Sequence, residues 1–394
     1  MNVDTSPNQA ISASQTSAKP GLLFLVTESA YFASHKLELA AAAAEAGFDV
    51  TVAARCDGPE KFSGANFKVV PLEWKRTGSI LGAMGALLPD LWCVRSVLAQ
   101  VKPDVVHNIS LKPAIIGSIA AFGRTTKVIN SINGFGYVFY ARSLLAKAVQ
   151  LGCRVILRQA AKGNAARIVL QNSEDATYAR ETMKVEDRFV RLIRGSGIEL
   201  SSFIPQPEPH SPPMRFLILA RLLQMKGIEV AVAAFNLLRK KGVEAELVGC
   251  GQSDPGNPSS IPDSRIEQLS SMPGVTFKGQ VDDVRPEIAE SHAVLLPALG
   301  GEGLPRALLE AAAMEKPLLA TDIGGNREIV VPWETGMVVP PNDPEALSGA
   351  MAWMASHPED RVRWGKAARI KVENEFSSEL IRSQHVALYQ EFLA

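Results

Sequence analysis

The chain has 394 residues, 46% hydrophobic and 21% charged, with 41 basic and 41 acidic side chains. That is globular composition, long enough for two domains of ordinary size. The four cysteines (Cys56, Cys93, Cys153, Cys250) and six histidines are scattered without ligand-type spacing, which excludes a disulfide framework and points to a reducing compartment with no metal site.

Residues 1–20 are rich in Ser, Thr, Asn, Gln and Ala and lack a charged start followed by an apolar core, so a disordered tail is expected rather than a signal peptide. Short apolar runs then alternate with helical stretches. Leu22–Thr27, Asp49–Ala54, Phe67–Val70, Asp104–His107, Val128–Ile132 and Ile168–Gln171 read as strands. Ser34–Ala46, Ile80–Val101, a stretch opening at Pro113, Leu144–Ala161 and Glu174–Thr182 read as helices. The apolar stretch Ile80–Val94 is broken by Pro89 and Asp90 and is too short to span a bilayer. Prolines crowd residues 205–213, as in an interdomain linker, and the alternation then restarts. Phe216–Leu219, Glu246–Val248, Val275–Phe277, Ala293–Leu296 and Leu318–Ala320 read as strands, Gly227–Lys240, Val284–Glu290 and Pro305–Met314 as helices, and the chain ends in the helices Pro344–Ser356, Pro358–Glu375 and Ser377–Leu393. Strands separated by helices of ten or more residues indicate βαβ units. The class is α/β with two doubly wound domains, and open sheets of that kind bind ligands at their strand C-termini, here in the cleft between the halves.

Charge is uneven along this plan. Residues 1–200 hold 23 Lys and Arg against 16 Asp and Glu, and the remainder holds 18 against 25. No acid stands between Asp104 and Glu174, a window that includes Lys147, Arg154, Arg158 and Lys162. The first half should attract anions or an anionic surface; the alternative is helix faces dressed in Lys and Arg for solubility.

The densest chemical signal is Gly300-Gly301-Glu302-Gly303-Leu304-Pro305-Arg306, continuing to Glu310. A glycine-rich turn here leads from a strand into a helix with Pro in its first turn, so uncapped N–H groups and the positive helix end suit an oxyanion. The competing reading is a capped helix in which Glu310 merely pairs with Arg306 at the i, i+4 spacing. Arg221 and Lys226, between a strand and the next helix start, would neutralise a diphosphate without a metal, or else belong to a solvated turn. The pair Asp282-Asp283 reads as a loop rather than a metal site, because no further ligand stands nearby.

Together these pieces resemble the retaining family-four glycosyltransferases of GT-B fold, over almost the whole chain after residue 20. Glu302 and Glu310 match that family's glutamate, seven residues, glutamate pattern; Arg221 and Lys226 match its phosphate-binding pair; Gly324 to Val330, then Thr335-Gly336, match the segment that follows. The first half is similar to a branch making bacterial capsule, O-antigen and exopolysaccharide on undecaprenyl diphosphate, through Phe32-Ala33-Ser34-His35-Lys36, His107 to Pro113, Gly134 to Phe139, Gln171-Asn172 and Gly195-Ser196-Gly197.

The resemblance implies a first domain over 21–204 that binds the acceptor, a nucleotide-sugar domain over 205–376, and a final helix, 377–394, returning to the first. It implies that Arg221 and Lys226 hold the donor diphosphate, Glu310 the ribose, Glu302 the transferred sugar, and the amides at Gly303 and Leu304 the β-phosphate. His107 is implied as catalytic beside Glu302, and His35, Lys112, Asn133 and Gly134 would face the cleft. The implied partners are a nucleotide-sugar donor (UDP by default), a lipid-linked saccharide acceptor and an anionic membrane surface on the cytoplasmic side, with no cofactor, metal or nucleic acid. Where many relatives carry His, this chain has Asn133, which donates hydrogen bonds but is no base near neutral pH. Three other readings stand beside this one. A non-hydrolysing nucleotide-sugar epimerase shares the fold, and a non-catalytic scaffold would keep the same motifs. A Rossmann oxidoreductase lacks support, since Thr27-Glu28-Ser29-Ala30 stands where its glycine fingerprint belongs.

Overall fold

Near-continuous apolar runs are what a parallel sheet covered on both faces requires. The computed structural model describes residues 19–55, 67–74, 80–135, 139, 143–163, 166–210, 212–254, 256–257 and 259–393. Residues 1–18 and 136–138, which include most of the expected tail and part of the Gly134 to Phe139 motif, lie outside them.

Two sheets form. The first contains β1 (Gly21–Glu28), β2 (Asp49–Arg55), β3 (Lys68–Pro71), β4 (Val105–Ile109), β5 (Lys127–Ile132), β6 (Arg167–Leu170) and β7 (Val190–Leu192), in the order β3-β2-β1-β4-β5-β6-β7. The second contains β8 (Met214–Leu219), β9 (Ala245–Cys250), β10 (Val275–Phe277), β11 (Ala293–Leu296), β12 (Leu318–Thr321) and β13 (Gly336–Val339), in the order β10-β9-β8-β11-β12-β13. Every pairing is parallel. Strand order reverses between β1 and β4 in one sheet and between β8 and β11 in the other. Those reversals open a crevice at the strand C-termini, where α/β sheets take ligands.

Helices Leu87–Val101, Leu111–Ala121 and Leu144–Gly163 lie side by side on one face of the first sheet. Its other face is covered by Leu37–Glu45 and by the last helix, Ser378–Glu391, whose Tyr389 is fully buried among Phe24, Phe48 and His107. The chain therefore crosses between domains twice, through residues 193–210 and again at Ser377, which pairs with Ile198.

Several elements differ from the sequence reading. The stretch read as one helix over 34–46 is two, Ser29–His35 and Leu37–Glu45, broken at Lys36. The stretch over 80–101 is likewise two, Ile80–Gly85 and Leu87–Val101. Strand β7 is too short for a periodicity to show, and the helix Gly324–Ile329, whose segment carried only a motif match, begins on two glycines that give no helix signal.

Candidate active site

The glycine-rich turn after β11 is pressed against the first domain. A Cβ at Gly303 would lie 2.1 Å from the Asn133 carbonyl oxygen, so only glycine allows this approach. Opposite it, Gly134 has φ +117°, which favours glycine, and faces the backbone of Gly301 and Gly303. Asn172 Nδ2 donates to the Gly303 carbonyl at 2.9 Å, and Arg306 Nη1 donates to the Ser34 carbonyl at 2.8 Å. The two domains thus meet edge to edge around a cleft of about 370 Å³.

Second-domain residues Arg221, Lys226, Glu302, Gly303, Leu304 and Arg306 line that cleft, facing Tyr31, His35, Asn133 and Gln171 of the first. Each cation on the second-domain side has a carboxylate partner. Arg221 pairs with Asp254 at 2.8 Å, Lys226 with Glu302 at 2.5 Å, and Arg306 with Glu310 at 2.7 Å. Such pairing keeps the cations positioned without leaving charge uncompensated. The helix Arg306–Ala313 starts at Pro305, which has no side-chain acceptor, so no side chain caps its first turn.

On the first-domain side a hydrogen-bonded chain runs from Gln171 Nε2 to Asn133 Oδ1 at 2.8 Å, and from Asn133 Nδ2 to the Tyr31 hydroxyl at 2.6 Å. Burial pushes the Tyr31 phenol up to about 12. The His35 ring stacks on Tyr31 with centroids 4.4 Å apart. Burial, with the Arg306 guanidinium second, pushes His35 down to about 4, so it is a neutral hydrogen-bonding ring at physiological pH.

Two residues expected at the cleft are elsewhere. His107 is on β4, fully buried, with Nδ1 2.8 Å from the Tyr389 hydroxyl and Nε2 2.6 Å from Ser131 Oγ. Burial and the nearby Lys36 hold it well below the usual imidazole range. It fastens the last helix to the first sheet and cannot reach a reacting atom. Lys112 Nζ is 2.8 Å from Asp90 and 4.9 Å from the Trp74 ring centroid, tying two helices together away from the cleft lining. A third expectation is altered. Glu310 is largely buried, held by Arg306 at the i, i+4 spacing, and burial raises its carboxyl. Ribose binding would require Arg306 to share or release it.

Tyr31, Gln171, Asn172 and Arg306 carry more of the site than their sequence signals suggested. Tyr31 stands four residues before His35 on a helix, a spacing that places both side chains on one face. The approach of Arg306 to Ser34, 272 residues away, has no sequence signal.

The fold and this cleft define a two-domain α/β architecture with a ligand cleft between two parallel sheets. Residues 202–371 match the family model described as glycosyl transferases group 1, and residues 33–194 match the glycosyl transferase 4-like domain. The chain belongs to the family-four glycosyltransferases of GT-B fold. It is 30% identical over 203 residues to the putative colanic acid biosynthesis glycosyltransferase WcaL of Escherichia coli, covering 49% of each chain. It therefore spans about half the length of that relative. It is 24% identical to the capsular polysaccharide biosynthesis glycosyltransferase CapM of Staphylococcus aureus, over 78% of this chain and 83% of that protein. In fold it resembles the sucrose-phosphate synthase of Thermosynechococcus elongatus, with TM-score 0.81, 22% identity and coverage of 95% and 99%. It also resembles Anabaena HepE in complex with UDP-glucose, with TM-score 0.73, 16% identity and coverage of 94% and 99%.

Proposed function

We propose that the protein transfers a sugar, with retention of anomeric configuration, from a UDP-sugar to a polyprenyl-diphosphate-linked saccharide in bacterial surface polysaccharide synthesis. The observation that carries this reading is the convergence of Arg221, Lys226, Glu302, Gly303 and Arg306 on one interdomain cleft at the C-terminal ends of both sheets. A donor diphosphate would take over Arg221 from Asp254 and Lys226 from Glu302, exchanging one anionic partner for another. The uncapped start of the helix Arg306–Ala313 would meet the β-phosphate side. Glu302, released from Lys226, would contact the transferred sugar.

Among the described residues, no side chain on the first-domain wall of the cleft is suited to act as a base near neutral pH. Asn133 has no basic atom, His35 is poorly basic, and the Tyr31 phenol stays protonated. The proton of the acceptor hydroxyl therefore goes to the leaving diphosphate oxygen. The bond from the anomeric carbon to that oxygen breaks on the same face on which the new glycosidic bond forms. The protein supplies orientation and charge. The relatives' names support the polysaccharide setting.

Membrane docking belongs to this proposal. In a parallel sheet each crossover helix runs against its strands, so its first residues lie at the cleft end. Leu87, Leu88 and Trp92, near the start of one such helix, and Leu144 and Leu145, at the start of another, are exposed. A lipid surface would cover them while the acceptor's sugar reached the cleft. Among the described residues no helix is long and apolar enough to cross a membrane.

The test is transfer from a panel of UDP-sugars to a lipid-diphosphate saccharide in excess EDTA, with the product's anomeric configuration read by NMR. Retained configuration and undiminished turnover are expected. Inversion, or recovery of activity only with Mg²⁺, would overturn the mechanism.

A further inference from the structure

Two motifs that the transfer chemistry leaves unused, Ser34-His35-Lys36 and Gly195-Ser196-Gly197, meet behind the cleft. They wall a second cavity of about 140 Å³, which shares His35, Ser196, Gly197 and Arg306 with the cleft and is closed by His385 and Ser378 of the last helix. We infer that this cavity is a binding site for a phosphate-sized oxyanion, held by Lys36 with His385 and Arg306.

Lys36 stands at the break between two helices and is 2% exposed. Its ammonium carries three donors, and the hydrogen bond it makes is to the Gly195 carbonyl at 3.3 Å. His385 is 1% exposed, and neither of its ring nitrogens has a partner. Two buried polar side chains with unsatisfied nitrogens thus stand in the wall of one cavity, against the rule that buried polar groups are paired.

The charges around that space make the missing partner an anion. Arg306 is fastened to Glu310 and Ser34, and Arg382 engages both Glu38 and Glu199. The lining acids are therefore taken up by Arg382, and among the described residues no carboxylate bonds Lys36. His35 and His107 stand near and are neutral, and burial pushes Lys36 itself down to about 8. An oxyanion would supply the acceptor oxygens and the countercharge together, and a cavity this size admits one such group.

The site is distinct from the one built around Arg221 and Lys226, and the test separates them. In a Lys226→Ala background, which weakens the cleft's own phosphate binding, inorganic phosphate is titrated by calorimetry at fixed ionic strength. Saturable binding is expected. Adding Lys36→Met should weaken it at least tenfold. Adding Ser196→Asp instead, which offers Lys36 a carboxylate from the cavity wall, should do the same while keeping the lysine, so a folding defect in one variant does not decide the result. A hexose 6-phosphate run in parallel identifies the source. Tighter binding than inorganic phosphate means an anionic group carried on a saccharide, and equal or weaker binding means the free ion. No saturable phosphate binding in the Lys226→Ala protein, or equal binding with and without the Lys36 and Ser196 changes, overturns the site.

Discussion

Lys226 and Glu302 form an ion pair on the second-domain side of the cleft, where the Lys226 side chain is 22% exposed and the Glu302 side chain 10%. On the proposed reading Glu302 would both compete with the donor diphosphate for Lys226 and contact the donor sugar, and two substitutions separate these roles. Lys226→Ala should weaken UDP binding about tenfold or more, the loss of one charge-assisted contact worth about 1.5–3 kcal/mol. Arg221→Ala should do the same. Glu302→Gln frees Lys226, so UDP binding should hold or tighten while turnover falls about a hundredfold or more. Calorimetry with UDP and a single-turnover assay check both. Wild-type affinity in Arg221→Ala and Lys226→Ala would remove the pair from the donor site.

The neutral ring of His35 predicts a pH profile. With its pKa near 4, this imidazole does not change charge between pH 5 and 9. The rate should therefore show no limb near pH 6.5 traceable to His35. His35→Asn, which keeps hydrogen bonding and removes basicity, should retain activity within about tenfold. A limb near 6.5 that disappears in that variant would show that His35 acts as a base.

How far the sequence carried follows from these residues. Apolar runs and prolines exposed both sheets because those signals are local, and the family resemblance implied the second-domain half of the site. His107 was misplaced because a histidine on a strand gives no sign of which neighbour it meets. Its partner Tyr389 is 282 residues away on a helix that returns from the other domain. Glu310 was legible in two ways. The i, i+4 pairing with Arg306 was legible, yet the family pattern favoured a role in donor binding. Lys36 was legible only as part of a motif; that it is buried depends on Gly195 and the last helix closing over it.

Burial of Lys36 also makes stability depend on alkaline pH. Its pKa falls from 10.5 unfolded to about 8 folded, so between those values the unfolded chain binds more protons and stability rises with pH. At neutral pH the charged form is penalised by on the order of 3 kcal/mol. Lys36→Met should therefore unfold at higher denaturant than wild type at pH 7, in phosphate-free buffer. That advantage should shrink steadily as pH rises from 8 toward 10.5. Denaturant melts of both proteins across this range provide the difference, which cancels other titrating groups. A constant difference would mean Lys36 is not the group that titrates.

The helix Leu144–Gly163 supports a specific version of membrane docking. Its Ala146, Gln150, Cys153, Leu157, Ala160 and Ala161 are buried at helical spacing against the sheet. Leu144, Leu151 and Val155 are 85%, 60% and 49% exposed, and the cations Lys147, Arg158 and Lys162 are exposed with them. Arg154, expected on the membrane side, is half-buried over the Tyr178 ring, 5.3 Å from its centroid, and serves the protein interior instead. Trp92, 78% exposed on the helix Leu87–Val101, adds a large amphipathic side chain of the kind that favours a membrane interface. Each exposed cation near an anionic surface contributes about 1 kcal/mol, screened by salt, and each inserted apolar side chain adds to that. Co-sedimentation with vesicles should require anionic lipid and fall as salt rises. Changing Lys147 and Arg158 together to Glu should reduce binding at least tenfold without changing the thermal melt. Trp92→Ser should weaken it at all salt concentrations, because the apolar contribution is not screened. Arg154→Glu should instead destabilise the fold through its contact with Tyr178. Undiminished sedimentation of the Lys147 and Arg158 double variant with anionic vesicles would move the docking surface elsewhere.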